Sequence, residues 1–262
     1  MITRRAIIEW QENAPWIDMR QVEQDLIISR ALVAIYSDEY LASRLAFRGG
    51  TALHRIYLSP PARYSEDIDL VQTVAEPIGR VLDRLREVLS FLGKPAIHQK
   101  KNNNTIMFKT MSTYPPEMPL KLKIEINCTE HFTVHGYAKA PFEMNNSWYS
   151  GNCEIVTFCL DELIGTKIRA LYQRRKGRDL FDLYLAGIAS DIDRENAVHC
   201  FKKYIAFSNT NVPTAKEYLA NLEDKMNNRL FVSDTEGILR PDIVYVPIEA
   251  FEVVKSEFVM RI

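Results

Sequence analysis

The apolar positions of this chain follow two periods, and the period changes near residue 159. From Met19 to about Ala42, residues Val22, Leu26, Ile27, Leu32, Val33, Ile35 and Tyr36 recur at helical spacing. They predict one long helix, with Asp18 placed to cap it and a shorter helical stretch before the Pro15-Trp16 break. Leu45-Ala46-Phe47 then reads as a short strand that stops at Gly49-Gly50. Thr51 to Tyr57 reads as a short helix, ended by Pro60-Pro61. In Asp67-Ile68-Asp69-Leu70-Val71 the period is two, so Ile68 and Leu70 face a core and Asp67 and Asp69 face the other way. After Pro77, an apolar face from Ile78 through Leu92 predicts a helix that Gly93 closes. Ala96–Lys101 and Thr105–Met111 read as a hairpin turning across Asn102-Asn103-Asn104. Leu120 to Cys128 alternates again. Residues 129–153 read as loops between short strands, because Gly136, Pro141, Gly151 and Asn145-Asn146 interrupt them, and Glu154–Phe158 reads as the last strand. From Asp161 onward the spacing is helical. The pattern therefore predicts an α+β core over 1–158, a mixed sheet flanked by helices, and a helical region over 159–262.

A chain of 262 residues is long enough for a substantial core, and its net charge of -1 argues against a broadly basic nucleic-acid coat. No apolar run reaches membrane-spanning length, and the first residues carry no apolar signal core, so a cytoplasmic protein is expected. Cys128, Cys153, Cys159 and Cys200 have neither Cys-x-x-Cys nor zinc spacing and read as free thiols of a reducing compartment. His131 and His135 are four apart, but their neighbours favour strand or loop over a metal-binding helix. Lys100 and Lys101 read as a solvated hairpin tip.

The chemistry concentrates at the strand–turn–helix–strand stretch. Paired glycines at a helix N-terminus let an anion approach backbone N–H groups and the positive end of the helix dipole, which makes Gly49, Gly50 and Thr51 a candidate phosphate cradle. Asp67 and Asp69 stand side by side, and two carboxylates that close repel unless a cation sits between them or one keeps its proton. A divalent ion on oxygen ligands resolves this, and Mg²⁺ with a phosphate substrate suits it best. A turn that cradles phosphate followed by a metal-binding acid pair is the minimum kit for nucleotidyl transfer.

In the order and spacing of these motifs the chain resembles the polymerase-β-like nucleotidyltransferase superfamily. More narrowly, Arg48-Gly49-Gly50-Thr51-Ala52-Leu53 followed by Arg63-Tyr64-Ser65-Glu66-Asp67-Ile68-Asp69-Leu70 resembles the AbiEii-type nucleotidyltransferase toxins of bacterial toxin–antitoxin systems. The resemblance implies a third acid on a later strand, and Glu125 matches it. From the residues alone Glu125 is either that third ligand or an ordinary charge on a half-exposed strand. Lys167 falls within an apolar helical stripe. It either snorkels at the stripe's edge or turns into the active site to hold a triphosphate, as the matching family lysine implies. Arg178-Asp179-Leu180-Phe181-Asp182 resembles the family's Arg-Asp-x-x-Asp motif and implies that Asp182 and Asp179 belong to the site. They would orient Lys167 or Arg178, or help deprotonate the acceptor.

The resemblance thus implies metal binding by Asp67, Asp69 and Glu125, with two Mg²⁺ ions. Catalytic roles fall to these acids with Lys167 and Asp182, and nucleotide binding to Gly49, Gly50, Thr51, Arg63, Ser65, Lys167, Arg178 and Asp179. It implies transfer of a nucleoside monophosphate from an NTP to RNA, a tRNA 3′ end, in a cleft between the two regions, and a cognate antitoxin as partner. Two rivals remain at this point. A small-molecule nucleotidyltransferase would use the same acids without RNA. A non-catalytic RNA- or protein-binding module would use the basic cluster of Arg169, Arg174, Arg175, Lys176 and Arg178 and would have no need of repelling carboxylates.

Overall fold

A computed structural model describes all residues except Met1, Lys101, Ser190 and Asn209. The expected lysine at the hairpin tip, Lys101, therefore lies outside the described residues. The chain divides into two units, one running to Thr133 and including Tyr137–Phe158, the other comprising Val134–Gly136 and Cys159–Ile262.

The first unit begins with α1 (Arg4–Trp10), α2 (Met19–Tyr36) and α3 (Glu39–Arg44), which lead into β1 (Leu45–Arg48). A short helix α4 (Gly49–Ala52) widens into a π-helical turn over Leu53–Tyr57, and β2 (Asp67–Gln72) follows. Next come α5 (Gly79–Val88), β3 (Ala96–Gln99), β4 (Asn103–Met111), β5 (Pro119–Asn127), β6 (Tyr137–Asn146) and β7 (Tyr149–Phe158). Among the described residues the strands form one seven-stranded mixed sheet in the order β3-β4-β5-β2-β1-β7-β6. The β1–β2 pair is antiparallel, whereas β2–β5 and β1–β7 are parallel. Ile68, Leu70, Ile124 and Ile126 point from β2 and β5 into the core, which leaves the intervening polar residues on the opposite face.

Helix α2 does more than cover the sheet. Asp18 caps it by accepting from Arg20 N at 2.9 Å, and four of its polar residues, Glu23, Gln24, Asp25 and Ser29, are buried. Buried polar groups are costly unless bonded. Glu23 accepts from the backbone N–H of Thr113 at 2.9 Å and of Tyr114 at 3.3 Å. The Gln24 amide donates to the carbonyls of Glu66 (3.3 Å) and Lys121 (3.0 Å), tying the approach to β2 to the start of β5. Asp25 accepts from Trp10 Nε1 at 2.9 Å and from Arg55 Nη2 at 2.6 Å, which anchors the π-helical turn to α2.

Several expectations need correction. The predicted helix from Met19 to Ala42 is two helices, broken after Tyr36 because Asp38 caps α3 by accepting from Leu41 N at 2.9 Å. The helix expected to begin at Thr51 begins at Gly49. The hairpin turn lies earlier than expected, since Asn103 and Asn104 already belong to β4. The short strands and loops expected over 129–153 are instead most of a hairpin of two ten-residue strands, β6–β7, and the strand expected at Glu154–Phe158 begins at Tyr149. Pro141 is tolerated there because β6 is an edge strand and one side of it needs no ladder donor. Gly151 serves close approach, since a Cβ there would lie 3.0 Å from Val33 on α2.

The second unit is helical among the described residues. Helix α6 (Leu160–Gln173) packs with α7 (Gly177–Ile188), α8 (Arg194–Phe207) and α9 (Ala215–Met226). A short α10 (Arg229–Val232) follows α9, and α11 (Pro247–Glu257) packs on α7. Lys225 of α9 donates to the terminal carbonyls of α6, to Leu171 O and to Tyr172 O. Burial pushes its ammonium down to about 8. No helix among the described residues is long and apolar enough to cross a membrane. The four cysteines are free thiols. His131 Nδ1 bonds with Gln72 O at 2.7 Å and His135 Nε2 with Asn196 Oδ1 at 2.8 Å, so each ring already has its own partner.

Removing one member of a buried ion pair strands the other. Asp25→Ala is expected to destabilise the first unit by about 3 kcal/mol, measured by urea unfolding.

Candidate active site

The site of the first unit is built by strand register. On β2, Asp67 is the register partner of Lys123 on β5, and Asp69 is the partner of Glu125. Asp69 also pairs in register with Arg48 at the end of β1. Arg48, Asp69 and Glu125 therefore form a row across three adjacent strands, with Asp67 and Lys123 in the next row on the same face. The condition set by the sequence for Glu125, that its strand lie beside the Asp67/Asp69 strand, is met.

Glycine is required at the turn. Gly49 has φ of +79°, and a Cβ there would come within 2.3 Å of Asp69 Oδ2. The Asp69 carboxylate thus lies against bare backbone at the start of α4, where helix N–H groups point. Gly50 and Thr51 are buried behind it. The Thr51 hydroxyl donates to Asp67 O at 2.6 Å and so holds the turn to β2. Arg63 is buried and donates to Ser65 Oγ at 2.7 Å and Tyr64 O at 3.1 Å, fixing the segment just before β2.

Lys123 does not stand out in the sequence, where it is one polar residue in an alternating strand. Its ammonium lies 3.0 Å from Asp67 Oδ2 and 3.3 Å from Glu125 Oε1. Burial pushes the Asp67 carboxyl up; the Lys123 contact opposes that, Glu66 and Glu125 add to it, and the net shift is upward. Burial pushes the Lys123 ammonium down, but Asp67 and Glu125 outweigh burial and hold it above its ordinary value. Arg48 is a second residue whose contact is not legible in the sequence: its Nη1 donates to Glu130 Oε2 at 2.6 Å.

Among the described residues no three acidic, histidine or cysteine side chains stand together as a ready-made cage for an ion. The chemistry of the donors present is nevertheless of the kind a divalent ion takes. Three carboxylates share one sheet face, their oxygens are the hard donors Mg²⁺ prefers, and a cation, the Lys123 ammonium, already bridges two of them. The side chains of Asp67 and Glu125 are about one-third exposed, at 32% and 35%, so an ion from solvent can reach them.

The second unit holds a buried charge cluster. Lys167 Nζ lies 2.6 Å from Asp182 Oδ2 and donates to Asp179 Oδ1 at 3.0 Å. Arg174 grips Asp179 in a two-point contact, Nε at 2.6 Å and Nη2 at 2.8 Å. Asp179 and Asp182 lie three apart on α7, and that spacing turns both toward Lys167. Burial would raise the Asp179 carboxyl, but Lys167 and Arg174 overcome it and hold it below its ordinary value. Arg178 turns elsewhere: its Nε is 4.0 Å from Asp234, whose carboxylate also accepts from Arg178 N at 3.1 Å. Arg175 pairs with Asp224, and Arg169 is buried with its guanidinium 5.1 Å over the Tyr204 ring. The basic run from Arg169 to Arg178 is thus engaged within its own unit at four arginines, which weakens the reading of it as an open polyanion surface.

A family profile described as nucleotidyl transferase AbiEii toxin, type IV toxin–antitoxin system, matches residues 30–254. The chain belongs to this AbiEii toxin family. It is accordingly a nucleotidyltransferase of the type IV toxin–antitoxin class. The fold is shared with solved structures of low sequence identity. The nucleotidyltransferase toxin MenT4 from Mycobacterium tuberculosis is 13% identical with a TM-score of 0.66, covering 100% of this chain and 90% of that one. JHP933 from Helicobacter pylori is 18% identical with a TM-score of 0.60, covering 92% of each chain. No curated protein sequence matches the chain. The α+β nucleotidyltransferase fold expected from the sequence is the fold observed.

Asp179→Asn leaves Lys167 and Arg174 short of a buried counter-charge and is expected to cost about 3 kcal/mol in denaturant unfolding. A carboxyl held below its ordinary value contributes stability that is fully present above 3.8 and is lost as pH falls through its lowered value. The gap between wild type and Asp179→Asn is therefore expected to narrow in acid unfolding below that value.

Proposed function

We propose that this nucleotidyltransferase moves a nucleoside monophosphate from an NTP to the 3′ end of a tRNA and releases pyrophosphate. The observation that carries the proposal is the alignment of Asp67, Asp69 and Glu125 on one sheet face beside the Gly49–Thr51 turn. In the reaction the acceptor oxygen bonds to the α-phosphorus, the bond from that phosphorus to the α–β bridging oxygen breaks, and pyrophosphate departs. Two Mg²⁺ ions on the three carboxylates would supply charge neutralisation and activate the acceptor hydroxyl.

The chain's own residues do the rest. The backbone N–H groups at Gly49, Gly50 and Thr51 receive β- and γ-phosphate oxygens. Arg63 and Ser65 hold the strand entry in place and add polar contacts to the nucleotide. Lys167, which the family motif would assign to the triphosphate, is held in the second unit between Asp179 and Asp182. The catalysis is positioning and charge stabilisation, with no covalent enzyme intermediate. Restraint by a cognate antitoxin is supported by membership of a type IV toxin–antitoxin family; the RNA acceptor and a cytoplasmic setting belong to the same proposal.

Incubation with Mg²⁺, each α-labelled NTP in turn and total tRNA is expected to label tRNA. The Asp67→Ala/Asp69→Ala double variant is expected to lose at least about three orders of magnitude in rate. Label appearing on protein or a small molecule, and not on RNA, would keep the enzyme and replace the acceptor. Transfer undiminished in the double variant would overturn the site.

A further inference from the structure

We propose that Lys123 is an internal counter-ion: its ammonium occupies the cation position of the acid face until a divalent ion displaces it. The inference rests on the proposed metal-binding role of Asp67, Asp69 and Glu125, and concerns what holds that face together before the ion arrives.

The position of Lys123 is set by the backbone. It is the register partner of Asp67 on the neighbouring parallel strand and lies two residues before Glu125, so it shares their face. Its Nζ reaches across the strand gap to Asp67 Oδ2 at 3.0 Å and back along its own strand to Glu125 Oε1 at 3.3 Å. These two contacts link the acids of two different strands, which is the link a shared ion would make. Ammonium and divalent ion therefore compete for the same oxygens.

The competition is winnable because of how the lysine is held. Its side chain is about one-third exposed, at 31%, and its four-carbon stem lets the ammonium leave toward solvent without moving β5. The buried Lys167, also held by two carboxylates, has no such route, since its side chain is 5% exposed and both partners are fully buried. The same lysine-between-two-acids arrangement is exchangeable in the first unit and fixed in the second. Once displaced, the Lys123 ammonium stands beside bound positive charge, and an incoming triphosphate offers it a new anionic partner. Lys123 then both lowers the affinity for an ion alone and favours the state in which ion and nucleotide are bound together.

The test is Mn²⁺ titration of the nucleotide-free protein, with free Mn²⁺ read by electron paramagnetic resonance. Wild type, Lys123→Met, Lys123→Arg and the Asp67→Ala/Asp69→Ala double variant are compared. Lys123→Met is expected to bind Mn²⁺ at least about tenfold more tightly than wild type, because removing the ammonium removes both a competitor and a repelling charge. Lys123→Arg, which keeps the charge, is expected to stay within about threefold of wild type. Without metal, Lys123→Met should melt a few degrees below wild type, and saturating Mn²⁺ should close that gap. Equal or weaker Mn²⁺ binding by Lys123→Met, with wild-type binding intact, overturns the counter-ion role alone. Absence from the wild type of any Mn²⁺ binding beyond that of the double variant overturns the metal-binding reading and this inference together.

Discussion

Asp69 and Glu125 are held in register on adjacent parallel strands, and that enforced proximity of like charge is the constraint around which the first unit is built. Side chains in lateral register sit about 5 Å apart, where two carboxylates repel by a few kcal/mol at a partly solvated site. A sheet left to minimise its own energy would not choose this pairing. It is imposed from outside the face. The Gln24 amide bonds the carbonyls of Glu66 and Lys121 at once, so helix α2 sets the relative offset of β2 and β5 from the core side. Thr51 bonds the carbonyl of Asp67 from the turn side. The positive φ and missing Cβ of Gly49 let the Asp69 carboxylate lie against the backbone at the start of α4. Each of these contacts fixes backbone, and the acids follow.

The second unit solves a related problem in the opposite way. Lys167, Arg174, Asp179 and Asp182 bring two cations to two anions with little or no water at three of the four. Such a cluster is stable because its charges are matched inside the protein, and removing any one leaves a partner desolvated. The acid face of the first unit carries more negative charge than its lysine offsets and is partly exposed, so that charge is available to bind something else. The contrast argues for exchange at β2 and β5 and for rigid orientation at α6 and α7.

What is legible in the sequence follows from period. Strict alternation in Asp67-Ile68-Asp69-Leu70 fits a half-buried strand, and the residues alone are enough to put both aspartates on one face of it. The acid spacing of Asp179 and Asp182 is legible for the same reason on a helix. Glu125 is legible only as a candidate, since its place depends on which strands become neighbours, and adjacency leaves no local trace. Lys123 is hidden because a lysine in an alternating strand looks like any solvated residue. The β6–β7 hairpin escapes a local reading because Pro141 and Gly151 signal breaks, whereas the edge position of β6 and the close approach of α2 make both acceptable. The break between α2 and α3 escapes it too, because apolar spacing continues through the break. The deciding residue is Asp38, whose capping bond outweighs continuation of the stripe.

The basic run shows how far charge counting can mislead about an anionic substrate. Arg174, Arg175 and Arg178 stand together in the sequence, yet each turns to an acid, Asp179, Asp224 and Asp234 respectively, up to 56 residues away. The field that a triphosphate meets is set by tertiary pairing. On the sheet face, three carboxylates outnumber the one lysine ammonium that bridges two of them, while Arg48 in the same row is paired with Glu130. On the proposed metal-binding role of Asp67, Asp69 and Glu125, positive charge would reach the acids before or with the phosphates, and nucleotide affinity and ion affinity would be linked through the same few oxygens.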